Sequence, residues 1–238
     1  MLERGVASAA PLSYWLERVR SPRSIAVDDW HSIMILGITG GVATGKSTIL
    51  GLLPNMAARY DVSCSAISAD AIARDLLDPG TDYSRRVIEH FGCEYALSPS
   101  EFAVNRTLLG QRVFRDADSR RWLENLLHPS IIDSLVQAGA PYKASSDGVM
   151  AMEVPLLYEA GIERIVDIVL VTRCSQPTQI RRIIERRPGV TEEDAIHQIL
   201  SQLPQDEKAR RANYVIDTDQ ALDDVERQFG QIIERIIG

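Results

Sequence analysis

Residues 40 to 47 have the types and spacing needed to hold the phosphates of a nucleoside triphosphate. They read Gly-Gly-Val-Ala-Thr-Gly-Lys-Ser and fit the pattern G-x-x-x-x-G-K-[ST] of a phosphate-binding loop. Glycines let successive backbone N–H groups point into one concavity, and the N-terminus of a following helix adds partial positive charge there. Lys46 is expected to reach the β- and γ-phosphates, and the Ser47 hydroxyl is expected to bind Mg²⁺. We predict nucleotide contacts along the loop at Gly41, Val42, Ala43, Thr44, Gly45, Lys46, Ser47 and Thr48.

This chemistry requires a strand before the loop and a helix after it, and the flanking residues fit both. Residues 33–39 form an apolar run of strand length, and residues 47–53 are suited to begin a helix. Pro54 follows and is expected to break that helix. The alternative is a glycine-rich turn that contains a lysine by chance. That alternative does not explain why strand, glycines, lysine and serine are all in register.

Asp70 is the candidate for readying an acceptor hydroxyl. It follows the predicted strand at residues 62–67, at the edge where open α/β sheets bind ligands. A phosphoryl-transfer enzyme needs a carboxylate that orients the acceptor hydroxyl and takes its proton. An aspartate before a helix is equally suited to cap that helix, so spacing alone leaves both roles open. Glu153, after a later strand, either holds a Mg²⁺-bound water or is an ordinary strand-end carboxylate; the turn at Pro155 favours the latter.

Four arginines cluster on one predicted helix that runs from Pro177 and stops at Pro188-Gly189: Arg181, Arg182, Arg186 and Arg187. Arginines on a mobile element can close over a transferring phosphoryl group and exclude water. A solvated helix face is the alternative. Positive charge in an acidic chain, next to a hinge-like Pro-Gly pair, favours a functional role.

The elements that must position these residues indicate an α/β fold with a parallel sheet. Five strand candidates alternate with helices, at residues 33–39, 62–67, 148–152, 166–172 and 214–217. The region 71–140 has no strong strand signal and is interpreted as consecutive helices, two of them separated at His128-Pro129. We expect Thr191 to cap a further helix and the chain to end in a helix over residues 222–237. Residues 1–32 precede the predicted fold and are interpreted as an N-terminal extension.

Composition narrows the classes of partner. The 238 residues are 45% hydrophobic and 25% charged, with a net charge of −7, which argues against nucleic acid as the main partner. No apolar run approaches the length of a membrane span, so no membrane partner is expected. Three widely spaced cysteines form neither a metal motif nor a disulfide framework, which favours a reducing, cytoplasmic compartment.

Beyond the phosphate loop, an ordered set of motifs resembles the dephospho-coenzyme A kinase family. The matching stretches are residues 34–41, 45–48, 69–74, 79–80, 91–92, 105–106, 113–114, 127–129, 154–159 and 215–217, with Gln179, Arg182, Arg186, Gln202, Glu207, Lys208 and Ala209. They cover roughly residues 33 to 236. The loop alone would identify only a superfamily, whereas the ordered set is specific to this family.

The resemblance implies transfer of the ATP γ-phosphate to the ribose 3′-hydroxyl of dephospho-coenzyme A. It implies a three-layer α/β/α phosphate-loop fold with a five-stranded parallel sheet. Residues 33–70 and 141–238 would form the core, 71–140 a helical acceptor-binding insert, and about 177–200 a lid. Asp70 matches the presumed base of the family's D-A-D motif, and Arg182 and Arg186 match lid arginines near the ATP phosphates. ATP and Mg²⁺ are implied as cofactors, Asp70, Lys46 and Arg182 as catalytic residues, and a monomer or small homo-oligomer as the assembly.

Two positions depart from the family pattern. Ser68 stands where the family has the first aspartate of the D-A-D motif, and Ile132 stands where an arginine is usual. The alternatives are another small-molecule kinase with a phosphate loop and a nucleotide-binding relative without turnover. A GTPase switch is disfavoured because no asparagine is followed by lysine, so the guanine-reading N-K-x-D signal is absent.

Overall fold

The computed structural model describes residues 34–144, 148–187 and 189–237. The extension predicted for residues 1–32 and Pro188 of the predicted helix stop lie outside them. The strands are β1 (Met34–Gly40), β2 (Cys64–Ser68), β3 (Ala96–Ser98), β4 (Ala103–Val104), β5 (Val149–Glu153), β6 (Ile168–Arg173) and β7 (Tyr214–Asp217). The helices are α1 (Lys46–Arg59), α2 (Ala69–Leu76), α3 (Asp82–Phe91), α4 (Arg106–Arg115), α5 (Ala117–Ala144), α6 (Gln176–Arg186), α7 (Glu192–Leu200), α8 (Gln205–Arg211) and α9 (Leu222–Ile237).

Five strands form one sheet in the order β2-β5-β1-β6-β7, and every neighbouring pair is parallel. All residues of the central strand β1 are buried, as expected for a strand covered on both faces. The predicted α/β class with a five-stranded parallel sheet is therefore confirmed.

The described residues divide into two compact units, one of residues 70–134 and one of residues 34–69 with 135–237. We call residues 34–69 with 135–237 the sheet unit. In its core, the fully buried Leu53 and Met56 of α1 and Phe229 of α9 pack beside sheet residues such as Leu36. The first, the helical unit, has its own core, which includes Val87 and Leu109. The division into core, acceptor-binding insert and lid that the sequence suggests stays a prediction.

The prediction that Pro54 breaks the loop helix is wrong, because α1 continues through it to Arg59. Pro54 has no N–H to give to the carbonyl of Leu50, which costs about 3 kcal/mol in a helix interior. Leu53 and Met56, on either side of it, are completely buried. Burial of two such side chains is worth about 3–6 kcal/mol, which is enough to offset the proline.

Two further expectations for region 71–140 are corrected. His128-Pro129 does not separate two helices, because α5 runs unbroken from Ala117 to Ala144. Leu127 and Ile132 are buried on either side of the proline, so packing again holds the helix together. The region also contains a short antiparallel pair, β3 and β4, whose two to three residues are too few to give a strand pattern.

Among the residues that the structure describes, no helix is both long and apolar enough to cross a membrane.

Candidate active site

The predicted phosphate loop connects β1 to α1. Gly45 stands at the N-cap of α1 with φ of 86°, a left-handed conformation that side-chain-bearing residues rarely adopt. Ala43 also has a positive φ, of 58°, although it carries a side chain. The loop thus leads directly into the N-terminus of α1, and a helix N-terminus favours the binding of an anion.

The Lys46 side chain folds back over the loop. Its Nζ donates to the carbonyls of Gly40, at 3.2 Å, and Gly41, at 2.7 Å, and the residue is only 8% exposed. The Thr44 hydroxyl bonds to the Gly41 carbonyl and to Thr172 Oγ1, both at 2.8 Å. These bonds hold the loop closed around a buried ammonium group.

Ser47 meets a carboxylate from the neighbouring strand. Its hydroxyl donates to Glu153 Oε1 at 3.0 Å, and Glu153 is 7% exposed at the end of β5. β1 and β5 are adjacent, with Ile38 opposite Glu153, so the sheet register brings the two side chains together. The sequence left Glu153 between two roles, and the structure places it in contact with the loop serine.

Arg182 is fixed against the same loop. Its guanidinium donates to the Ala43 carbonyl at 3.2 Å, to Thr218 Oγ1 at 3.0 Å and to the Thr218 carbonyl at 2.7 Å. Arg186, one turn further along α6, is exposed at the end of the helix. The two arginines singled out by the sequence therefore differ, since Arg182 is anchored at the loop and Arg186 is open to solvent.

The helices of the predicted lid pack beside the loop. Ala43 lies in one apolar cluster with Ile183 of α6 and Ala195 of α7. The predicted cap of α7 is confirmed, because Thr191 and Asp194 form a reciprocal capping box.

Asp70 belongs to the helical unit, whereas the loop belongs to the sheet unit. It is exposed and stands second in α2, just after β2 ends at Ser68. Because α2 begins at Ala69, the alternative that Asp70 is the residue capping this helix is wrong. The Asp70 carbonyl accepts from Arg74 Nε at 3.1 Å.

The groups around Arg182 have perturbed pKa values. The pKa of Asp219 is lowered, mainly because the Thr178 hydroxyl donates to its carboxylate. Burial raises the pKa of the Cys174 thiol, so it is uncharged at neutral pH and is not an activated nucleophile.

Thr172 and Thr218, which no sequence motif singles out, also contact the loop. Thr172 is fully buried in the C-terminal half of β6, and Thr218 directly follows β7. Both stand near the carboxyl ends of parallel strands, so the same rule that selected Asp70 would have found them.

The matching family model and the relatives of known function identify the same family. A family model described as dephospho-CoA kinase matches residues 34–224. The dephospho-CoA kinase of Listeria monocytogenes is 32% identical over 202 residues, which is 85% of this chain and 96% of that protein. The dephospho-CoA kinase of Arabidopsis thaliana is 35% identical over 202 residues, which is 85% of this chain and 83% of that protein.

Solved structures have the same architecture. The crystal structure of TT1252 from Thermus thermophilus aligns with a TM-score of 0.67 and 25% identity, over 87% of this chain and all of that one (100%). A dephospho-CoA kinase from Campylobacter jejuni aligns with a TM-score of 0.62 and 23% identity, over 86% of this chain and 97% of that one, which shows a common fold. Because the family model matches residues 34–224 and the Listeria monocytogenes and Arabidopsis thaliana relatives match over 96% and 83% of their own lengths, the chain belongs to the dephospho-CoA kinase family, which catalyses the final step of coenzyme A biosynthesis.

Proposed function

We propose that the protein transfers the γ-phosphoryl group of ATP to the ribose 3′-hydroxyl of dephospho-CoA. The observation that carries the proposal is the loop at residues 40–47, closed around Lys46 at the N-terminus of α1. A helix N-terminus with a lysine beside it suits a chain of phosphates. In the proposed role, Lys46 exchanges its loop carbonyls for phosphate oxygens as ATP binds.

The residues near Ser47 fit Mg²⁺. The Ser47 hydroxyl and the Glu153 carboxylate are hard oxygen donors lying 3.0 Å apart. Within the described ranges, no cluster of three His, Cys, Asp or Glu side chains is suited to a metal ion. An ion held by one or two protein oxygens, with phosphate oxygens and water completing its shell, is typical of Mg²⁺ in phosphoryl transfer. We assign Ser47 as the ligand and Glu153 as its hydrogen-bonding neighbour. The ion would neutralise developing charge on the phosphates.

Asp70 is the proposed base. As an exposed carboxylate in the first turn of α2, it is accessible to an acceptor hydroxyl and, as shown above, does not cap the helix. Its role would be to accept a hydrogen bond from the 3′-hydroxyl and take the proton as the bond to phosphorus forms.

Arg182 and Arg186 are proposed to contact ATP in different ways. Arg182, anchored to the Ala43 carbonyl, would hold its positive charge at a fixed distance from the loop. Arg186 carries no such restraint among the described contacts and is free to move toward the phosphates. Arginine suits this role because its planar fork matches phosphate oxygens.

The test is turnover with defined donors and acceptors. ADP release is followed with ATP and Mg²⁺ in the presence of dephospho-CoA, of shikimate and of a nucleoside monophosphate, and the product is located by phosphorus NMR. A 3′-phosphate formed only from dephospho-CoA is the expected result. Turnover with another acceptor, or ATP binding without turnover, would contradict the proposal. Omitting Mg²⁺ and substituting Lys46→Ala should each abolish detectable turnover.

A cytoplasmic location is also proposed. It rests on the three free cysteines, Cys64, Cys93 and Cys174, which are typical of a reducing compartment.

A further inference from the structure

Side chains from distant parts of the sheet unit hold both peptide groups of one loop residue, Val42. The Val42 N–H donates to Gln202 Oε1 at 2.8 Å, from a residue 160 positions away. The Val42 carbonyl accepts from Gln179 Nε2 at 2.6 Å, from a residue 137 positions away. With the peptides on both sides of its Cα bonded, Val42 cannot rotate without breaking a bond.

Gln205 fixes the orientation of the Gln179 side-chain amide. Gln205 Oε1 accepts from the Cys174 N–H at 3.1 Å, so its Nε2 is free to donate to the Cys174 carbonyl, at 3.1 Å, and to Gln179 Oε1, at 2.8 Å. Because Gln179 Oε1 accepts that bond, the amide nitrogen of Gln179 must face Val42. We call Gln179, Gln202 and Gln205 the glutamine clamp.

Gly41, which has no side chain, leaves room for the Gln179 amide beside the loop. Gln179 is 1% exposed, and a Cβ added to Gly41 would lie 2.8 Å from its Nε2. A side chain at Gly41 would therefore push the amide away from Val42. Moving this buried amide would be costly, because the Val42 carbonyl would lose its hydrogen bond without gaining a bond to water.

The clamp connects the phosphate loop to the helix that carries Arg182. Gln179 and Arg182 are both on α6, and they bond to the successive carbonyls of Val42 and Ala43. We infer that the glutamine clamp is a positioning device for ATP. It fixes the Val42 peptide so that the N–H groups further along the loop are already oriented when the phosphates arrive. Such preorganisation saves the cost of ordering the loop on binding.

Two isosteric substitutions separate this role from a general effect of charge. Gln179→Glu replaces the donor facing the Val42 carbonyl with an oxygen, so that bond is lost and the two oxygens repel. Gln202→Glu adds the same charge but keeps an acceptor for the Val42 N–H. Gln176→Glu, at an exposed position on the same helix as Gln179, controls for charge alone.

The measurements are the Kd for ATP, the KM for each substrate and the Tm of each variant. Gln179→Glu should raise the Kd and KM for ATP about tenfold or more, as expected for one unpaired buried carbonyl. The KM for dephospho-CoA should change less than about twofold. Gln202→Glu should raise the Kd for ATP by a clearly smaller factor, and Gln176→Glu should leave it unchanged.

Three results would overturn the inference. They are an unchanged Kd for ATP in Gln179→Glu, equal effects of Gln179→Glu and Gln202→Glu, and a parallel rise in both KM values with a lower Tm. If the Tm of Gln179→Glu falls, Gln179→Met removes the donor without adding charge. That variant must still show the ATP-selective effect. The inference rests on the proposed binding of ATP to the loop. Wild-type protein that bound no ATP would refute that proposal, whereas the clamp is refuted only by the variants.

Discussion

Lys46 and Ser47 are adjacent in the chain but have different hydrogen-bond partners. The Lys46 ammonium lies against two carbonyl oxygens, and the Ser47 hydroxyl lies against the Glu153 carboxylate. The first environment suits an exchange of neutral oxygens for phosphate oxygens, and the second suits a divalent cation. The residues proposed to bind the phosphates and the Mg²⁺ ion are thus joined by a single peptide bond.

The substitution Asp70→Asn tests the proposed role of Asp70 as the base. The substitution keeps the size of the side chain and removes the proton acceptor, so kcat should fall about 10²–10⁴-fold with little change in the KM for ATP. Steady-state kinetics with dephospho-CoA measures both. Asp75→Asn, exposed on the same helix, is the matched control and should retain wild-type kcat. A kcat of Asp70→Asn close to the wild-type value would remove Asp70 from the mechanism.

At the level of the elements, Pro54 in α1 and Pro129 in α5 both lie inside a continuous helix. In each, apolar side chains on both sides of the proline are buried, and this packing outweighs a missing hydrogen bond. α1 also delivers Lys46 and Ser47, so its continuity bears on the site.

Pro54→Ala should stabilise the protein. Alanine restores the N–H that the Leu50 carbonyl lacks, while the less restricted unfolded chain offsets part of the gain, so the free energy of unfolding should rise by about 1–2 kcal/mol. Urea unfolding measures it. Asn55→Ala, exposed at the next position, should gain only about 0.5 kcal/mol from helix propensity. An equal gain from both would mean that the missing bond carries no cost here.

Burial of His128 in α5 should make the free energy of unfolding of the protein depend on pH. Burial lowers its pKa from 6.5, although the charge on Glu124 opposes this. The unfolded chain then binds more protons than the native state in the range just below pH 6.5, so stability falls as pH drops through that value and is complete above it. Unfolding curves measured from pH 5 to 8 should show that the free energy of unfolding changes less with pH in His128→Gln than in the wild type. The exposed His197→Gln should keep the wild-type slope, and an unchanged slope in His128→Gln would refute the assignment.

At the scale of the whole molecule, a chain with a net charge of −7 gathers Lys46, Arg182 and Arg186 on the loop and the helix beside it. The sheet unit positions them, because β1 leads into the loop, Thr172 lies in the C-terminal half of β6 and Thr218 directly follows β7. The core that holds this sheet together should therefore govern the integrity of the site.

Phe229→Ala tests that dependence. Phe229 is completely buried in α9, so its truncation should cost about 3–5 kcal/mol of unfolding free energy. Leu222→Ala, on the same helix but 57% exposed, should change stability by less than about 0.5 kcal/mol. Denaturant unfolding of both variants distinguishes them, and similar losses would contradict the assigned core.

The phosphate loop, the strand and helix that flank it, the α/β class and the family could all be predicted from the sequence. Each of these depends on residues that are close in the chain or on an ordered set of short motifs. Lys46 and Ser47 could be singled out because backbone geometry and residue type along eight consecutive positions define their surroundings.

The partners that these residues contact follow only from the folded arrangement of distant segments. Ser47 contacts Glu153 because β1 and β5 pair in a particular register, and Arg182 contacts Thr218 because α6 lies where β7 ends. Pro54 and Pro129 likewise leave their helices unbroken because of packing, since burial of Leu53, Met56, Leu127 and Ile132 is a property of the folded core. Local patterns encode the elements, whereas packing between distant segments selects the contacts that complete the site.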